Sequence, residues 1–337
     1  MGRKTKRVVT FGEVMMRLSP PGYAKFSQAK SLDIDYGGGE ANVAIALAYM
    51  GIDASHVTRL PDNLVGRSAT QYLRQHWVDT NHILYGDSRM GLYFLEKGAV
   101  HRSSEVVYER EDSAFSKLKP EMLKWEDILN EADWFHWTGI TPAVSKGAAE
   151  SCLKAIEVAN SMGITVSGDI HSRKSLWKYG LSKQQIIPEL VAGTNVVIAS
   201  TYDMYDIFGI GKSNSDFQTS SIALQKKFPI IQKVVDKDRE VLSASHNRIK
   251  GKMWNGKEFL TTPFYDVTHI IDRVGTGDAY AGGLIYGLIN YKEDKEALNY
   301  AAAACALKHT VEGDANMVSE DEVTSLVNGS GSGHIKR

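Results

Sequence analysis

Three short stretches carry residue types that do chemistry when a fold brings them together. In IIDRVGTGDAYAGGLIYGLIN a strand-like run ends at Asp272, a turn of Gly275, Thr276 and Gly277 follows, and Asp278 opens an apolar helix. Glycines let such a turn expose consecutive backbone N–H groups, and the helix start adds partial positive charge, so the turn suits a phosphate or a developing anion. An ionised carboxylate beside that anion hole can only accept. Asp278 therefore either caps the helix or takes a proton from a hydroxyl that attacks a phosphoryl group. In YGGGEANVAIALAYMG, Gly37 to Gly39 precede Glu40 and Asn42 at a helix start. Either backbone and amide groups approach a polyhydroxylated ligand there, or the segment is a flexible turn with Asn42 as a cap. The third constellation joins DIHSRKSLW, with Asp169, Arg173 and Trp177, to VVYER, with Tyr108 and Arg110. Two arginines on one pocket would favour a carboxylate or phosphate, which the planar fork holds by two parallel bonds. Spacing alone does not show that they meet, and solvated surface arginines are the alternative. A fourth oddity is VVTFGEVMMRLSPP, where Gly12 and Glu13 interrupt an apolar strand at its end.

These residues need a scaffold, and most of the chain alternates strand-like with helix-like patterns. RVVTFGEV precedes NVAIALAYMG, WFHWTGI precedes SKGAAESCLKAIEVANSMG, ITVSGDI and GTNVVIAS follow, and KEALNYAAAACALKHTV is a late apolar helix. That order predicts a parallel sheet covered by helices on both faces. Residues 18–36 and 89–110 break the rhythm. The second carries alternating, strand-like sequence (MGLYFLEKG, SSEVVYERE), so both segments are either strands of a small β-sheet over the carboxyl edge of the main sheet or long surface loops. Residues 328–337, rich in Gly and Ser, read as a flexible tail.

Composition narrows the partners. The 337 residues suit one large α/β unit. Lys plus Arg (39) balances Asp plus Glu (40), which gives no global field for nucleic acid or an anionic membrane. Cys152 and Cys305, far apart in helix-like surroundings, suit reduced core thiols. The basic start MGRKTKR leads into an apolar run broken by Gly12, Glu13 and Arg17, and no stretch reaches the roughly 20 apolar residues of a membrane span. The expectation is a cytoplasmic protein with a small-molecule partner. A nicotinamide enzyme is disfavoured, because Gly282 rather than a glycine three residues after Gly277 comes next in the turn.

In this order the stretches resemble the ribokinase-like carbohydrate kinases over residues 8–318. GTGD resembles the family's late signature, and GGGEAN resembles its early sugar-binding one. FGEVMMRLSPP, MGLYF, VVYER, HWTGITPAVS, DIHSRKSLW and IDRVGTGDA, collinear, resemble the branch acting on keto-deoxy sugar acids. The resemblance implies a three-layer α/β/α sandwich with a central, mostly parallel sheet and a small β lid, within one kinase domain that often dimerises through the lid. It implies ATP-dependent, magnesium-assisted phosphorylation of the C6 hydroxyl of 2-keto-3-deoxygluconate, with Asp278 as base and the N–H groups of Gly275, Thr276 and Gly277 as anion hole. Gly38, Gly39, Asn42, Tyr93, Tyr108, Arg110 and Arg173 would line the acceptor site, the arginines serving its carboxylate. Gly12 would let backbone approach the sugar, and Glu13 would face the pocket or cap the turn. His171, Arg173, Ser200, Ser243, Ser245, Asn247, Gly275, Gly277, Ala304 and Lys308 would serve ATP, and Asp203 would hold magnesium through water.

Three departures from the family pattern stand out. STYD, with Ser200 and Asp203, replaces a common Asn-x-x-Glu motif; His171 and Ser172 replace a common Asn and Tyr; Thr276 replaces Ala or Gly in the turn. The competing readings are a kinase of the same fold for another acceptor (fructose, ribose, a nucleoside or the galactonate epimer) and a sugar-binding regulator without catalysis.

Overall fold

The computed structural model describes residues 6–171, 176–212 and 215–329. The strands, in chain order, are β1 (Arg7–Phe11), β2 (Met15–Ser19), β3 (Asp33–Gly37), β4 (Asp53–Pro61), β5 (Ile83–Gly86), β6 (Gly91–Glu96) and β7 (Glu105–Glu109). They continue with β8 (Trp134–Thr138), β9 (Thr165–Asp169), β10 (Val196–Ile198), β11 (Lys233–Ser243), β12 (His246–Trp254), β13 (Phe259–Thr261) and β14 (Tyr265–Val267). The large sheet runs β13-β12-β11-β10-β9-β8-β1-β4-β5, with β14 also on β12. Every pairing from β11 to β5 is parallel, and only the β12 pairings are antiparallel.

Strands such as β8 (WFHWT) are buried along their whole length because helices cover both faces. On one face helices Gly39–Tyr49, Thr276–Asn290 and Asp294–Lys308 enclose Val8, Val43, Leu47 and Tyr280; on the other, helices Lys146–Ser161 and Lys183–Val191 enclose Phe11, Phe135, Trp137 and Ile156. This is the mostly parallel α/β sandwich that the alternating pattern predicts. Cys152 and Cys305 are both free and buried in these layers. A polar row crosses the sheet centre, where Thr10 pairs with His56 and His136, and His136 with Ser167. Thr10 Oγ1 lies 2.8 Å from His56 Nδ1, and Ser167 Oγ lies 2.8 Å from His136 Nδ1. Burial holds both imidazoles neutral, lowering His56 to about 3 and His136 to about 4.

The two irregular segments supply a second, four-stranded sheet, β3-β2-β6-β7. It starts at Met15, earlier than the sequence suggested, because the chain leaves β1 at Gly12 and re-enters a strand after only three residues. Its register lines up Ile34, Leu18, Phe94 and Val107 across one face. Among the described residues no helix is long and apolar enough to cross a membrane.

Candidate active site

A cleft of ≈ 500 Å³ lies between the carboxyl ends of β8 and β9, the stretch of β11 just beyond its parallel pairing with β10, the small sheet and the turn at residues 275–278. This is where an open parallel sheet presents ligands. Gly275 has φ +76° and is the N-cap of helix Thr276–Asn290 without any side-chain cap bond. A Cβ at Gly275 would overlap the Asp314 carbonyl, so the turn is pressed against the loop after helix Asp294–Lys308. Asp278 stands in the helix's first turn and is not its cap; Asn42 Nδ2 donates to its Oδ2 at 2.7 Å. Nor does Asn42 cap its own helix, whose N-cap is Gly38. Thr276 Oγ1 accepts from Arg239 at 2.9 Å and donates to the Arg273 carbonyl at 3.1 Å, so the departure at this position ties the turn to β11.

The acceptor-side residues Gly38, Gly39, Asn42, Tyr93, Tyr108 and Arg110 all line the cleft. Arg173 lies outside the described residues. Arg110 is not the open fork that the sequence suggested. Its Nε donates to Glu13 Oε2 at 2.8 Å and its second arm reaches the same oxygen, while the Ser113 hydroxyl takes Glu13 Oε1 at 2.5 Å. Glu13 is therefore buried inside the protein and braces Arg110. Gly12 does not make room for a sugar either: a Cβ there would overlap the Glu40 carboxylate. Glu40 accepts from Thr138 N at 3.0 Å, Thr138 Oγ1 at 2.8 Å and Thr141 Oγ1 at 2.6 Å. Burial nevertheless raises it to about 7, against the lowering effect of those bonds.

Of the residues expected at the nucleotide, His171, Gly275 and Gly277 line the cleft; Ser200, Ser243, Ser245, Asn247, Ala304 and Lys308 do not. Each has another engagement. Ala304 packs on Gly283, where a Cβ would stand 2.8 Å away. Lys308 is fully buried and donates to the Val311 carbonyl at 2.9 Å. Asn247 is fully buried between His309 and Arg273, and Ser245 Oγ accepts from Val100 N at 3.1 Å, which docks the hairpin onto the β6–β7 connection. Ser243 Oγ accepts from Ser245 N. Ser200 and Asp203 form a capping box at helix Thr201–Phe208, Asp203 Oδ2 accepting from Ser200 N at 3.0 Å.

The sequence reading missed the cations Lys237, Arg239 and Arg273 and the acids Asp236 and Asp314, all on the cleft wall. The signal was present in VVDKDRE, a charged run in β11 just beyond its parallel pairing with β10. Burial, then repulsion from Arg239, lowers the pKa of Arg273, so the two guanidinium groups favour an anion near them. His171 Nδ1 is 2.6 Å from Asp169, and its Nε2 is 3.6 Å from Asp203 and 3.9 Å from Asp236. Burial alone would lower its pKa, but Asp169 outweighs that and raises it to about 9.

The pfkB family carbohydrate kinase model matches residues 5–321. The chain is similar to the 2-dehydro-3-deoxygalactonokinase of Haloferax volcanii, with 32% identity over 98% of this chain and 99% of the relative. It is also similar to the solved 2-dehydro-3-deoxygluconokinase of Thermotoga maritima, with 40% identity, TM-score 0.90, and coverage of 96% of this chain and 99% of that one. A putative ribokinase II from E. coli, solved with ATP and Mg+2, shares the fold at 18% identity and TM-score 0.78, covering 96% of this chain and 99% of that one.

Proposed function

We propose, for a chain that belongs to the pfkB family of carbohydrate kinases, that the cleft transfers the γ-phosphoryl group of ATP to the C6 hydroxyl of a 2-keto-3-deoxy sugar acid, the gluconate or galactonate epimer. The observation that carries this reading is the placement of Asp278. Asn42 of the sugar-side helix holds it from one side, and it rises from the glycine turn whose N–H groups begin helix Thr276–Asn290. As the hydroxyl oxygen attacks phosphorus, the bond from phosphorus to the ADP oxygen breaks and the hydroxyl proton passes to Asp278. Charge on the transferred group falls against the N–H groups of residues 275–277 and the nearby Lys237, Arg239 and Arg273.

Magnesium fits as a water-held ion. Among the described residues no group of three side chains is poised to ligate a metal directly, yet the carboxylates of Asp203 and Asp236 stand within 4 Å of the His171 ring and offer the oxygen donors it prefers. When bound, it neutralises phosphate charge. The outer face of the small sheet, with Ile34 62% and Val107 61% exposed, fits a second copy of this chain. Sedimentation showing a monomer at all concentrations would refute that assembly.

A second reading, a neutral-sugar kinase, is favoured by the engagement of Arg110 with Glu13, which leaves less of its fork for a substrate carboxylate. Measuring ADP release with 2-keto-3-deoxygluconate, its galactonate epimer, fructose, ribose and adenosine separates the two. Turnover with the keto-deoxy acids supports the first reading; turnover with fructose or ribose alone supports the second.

A further inference from the structure

Behind the anion turn lies a cluster of charges for which the proposed chemistry has no direct use. Arg17, on β2 of the small sheet, is 3% exposed and points away from solvent. One terminal nitrogen lies 2.6 Å from Asp272 Oδ2, the other 2.8 Å from Asp314 Oδ1, and its Nε donates to Ser19 Oγ at 2.9 Å. Burial alone would lower its pKa, but Asp272 and Asp314 outweigh that and keep it charged. Tyr93, on β6 of the same sheet, donates its hydroxyl to Asp314 Oδ2.

The two aspartates flank the anion turn, Asp272 through its carboxylate and Asp314 through its main chain. Asp272 Oδ1 accepts from Val274 N at 3.0 Å, immediately before Gly275, and the Asp314 carbonyl is the atom against which Gly275 is pressed. Lys308, fully buried, stands beside both acids, which offset part of the lowering that burial imposes on its pKa, and donates to the Val311 carbonyl in the same loop. Asp35 adds a third carboxylate, accepting from Asp314 N at 3.3 Å, and Arg17, the cation that bonds both Asp272 and Asp314, belongs to the small sheet rather than the large one. Every bond from Arg17 to the acids crosses from the sheet that covers the acceptor side to the elements that shape the anion turn. Removing one member of such a buried group leaves charge uncompensated.

We propose that Arg17 is a positioning residue that couples the small sheet to the anion turn, so that acceptor bound beneath the sheet and nucleotide phosphates bound at residues 275–277 strengthen one another. The inference rests on the kinase reading above. The sheet that carries Arg17 also lines the acceptor side of the cleft, through Met15 and Tyr108 among others. Ordering that sheet orders the Arg17 bridge, and the bridge fixes the turn. By reciprocity the nucleotide tightens the acceptor by the same factor.

The test is calorimetry of a non-hydrolysable ATP analogue with magnesium, without and with saturating 2-keto-3-deoxygluconate or, if the panel above selects it, fructose. The wild-type chain should bind the analogue about tenfold more tightly when acceptor is present. Arg17→Met should bring that ratio to near one, and Arg17→Lys, which keeps the charge, should restore part of it. Tyr93→Phe deletes a single hydroxyl, leaves the ion pairs in place and so preserves the fold; it should lower the ratio by about threefold. A purely structural role would lower stability and leave the ratio unchanged. An unchanged ratio in Arg17→Met and Tyr93→Phe, or no ratio in the wild type, overturns the coupling while leaving the kinase reading intact. No binding of the analogue to the wild type under any condition overturns the kinase reading, and the coupling falls with it.

Discussion

Adding one methyl group at either of two glycines in the same turn should have opposite effects on stability and the same effect on turnover. Gly275 combines φ +76° with a Cβ position that overlaps the Asp314 carbonyl. Gly275→Ala therefore incurs about 1–2 kcal/mol for a left-handed alanine. The backbone of the neighbouring loop must also retreat by roughly 1–2 Å to reach ordinary contact, an overpacking strain of about 1–3 kcal/mol. At about 2 °C per kcal/mol for a chain of this size, the melting temperature should fall by about 4–10 °C. Gly277 is helical, and among the described residues, its own helix aside, the atom that its Cβ position meets is Lys237 Nζ, at 3.8 Å. Gly277→Ala should leave the melting temperature unchanged or raise it slightly, since alanine is favoured over glycine in a helix by up to about 1 kcal/mol. Its methyl would nevertheless stand between the turn and Lys237, where a phosphate bridging the two must lie. Both variants should lose about a hundredfold or more in kcat, as loss of an anion-hole contact does elsewhere. Differential scanning calorimetry and steady-state turnover on the purified variants provide the check. Gly277→Ala with normal turnover, or Gly275→Ala with an unchanged melt, would refute the reasoning.

Two pH effects follow from the buried titratable groups. His56 and His136 are held neutral well below the ordinary histidine pKa of 6.5, so the unfolded chain binds protons first as pH falls, and their stabilising contribution is lost below about pH 6.5. Near pH 5.5 the pair should add about 2.4 kcal/mol per pH unit to the slope of stability against pH; equal urea midpoints at pH 6.5 and 5 would contradict this. Glu40 acts in the opposite sense. Its folded pKa lies above its ordinary 4.5, so its contribution is full below that value and lost as pH rises through about 7, opposing the histidine slope by about 1.2 kcal/mol per pH unit near pH 5.5. Glu40→Gln should therefore steepen the slope between pH 5 and 6.5 and gain on the wild type by up to about 3 kcal/mol at pH 8, measured by urea unfolding; a constant difference across pH would argue against it.

The parts of this architecture that follow from local pattern were legible in the sequence. Parallel strands buried on both faces give continuous apolar runs such as WFHWT, and the turn–helix at GTGD is specified by its glycines; the strand expected to end at Asp272 does not form, because β14 stops at Val267 and residues 268–275 are irregular. What stayed hidden depends on long-range pairing. Nothing near Gly12 in the sequence reveals that the carboxylate needing its space is Glu40, 28 residues on, held by Thr138 and Thr141. Glu13 meets Arg110 across nearly a hundred residues, and so a fork that looked free for a substrate carboxylate is already engaged. Lys308 and Asn247 were assigned to the nucleotide only through the family resemblance, and no local pattern shows that both are buried with partners of their own, the Val311 carbonyl and the His309 ring. The charged run on β11 and Asp314 were readable as charges, but only the fold brings them to the cleft wall.

Whether Asp278 takes the proton of the attacking hydroxyl is tested most directly by Asp278→Asn. The amide oxygen that the substitution introduces can still accept from Asn42, so the site should keep its shape and its binding of ATP and acceptor, measured calorimetrically, while kcat falls by about 10²–10⁴-fold. Turnover within a few-fold of the wild type, with binding intact, would contradict the account.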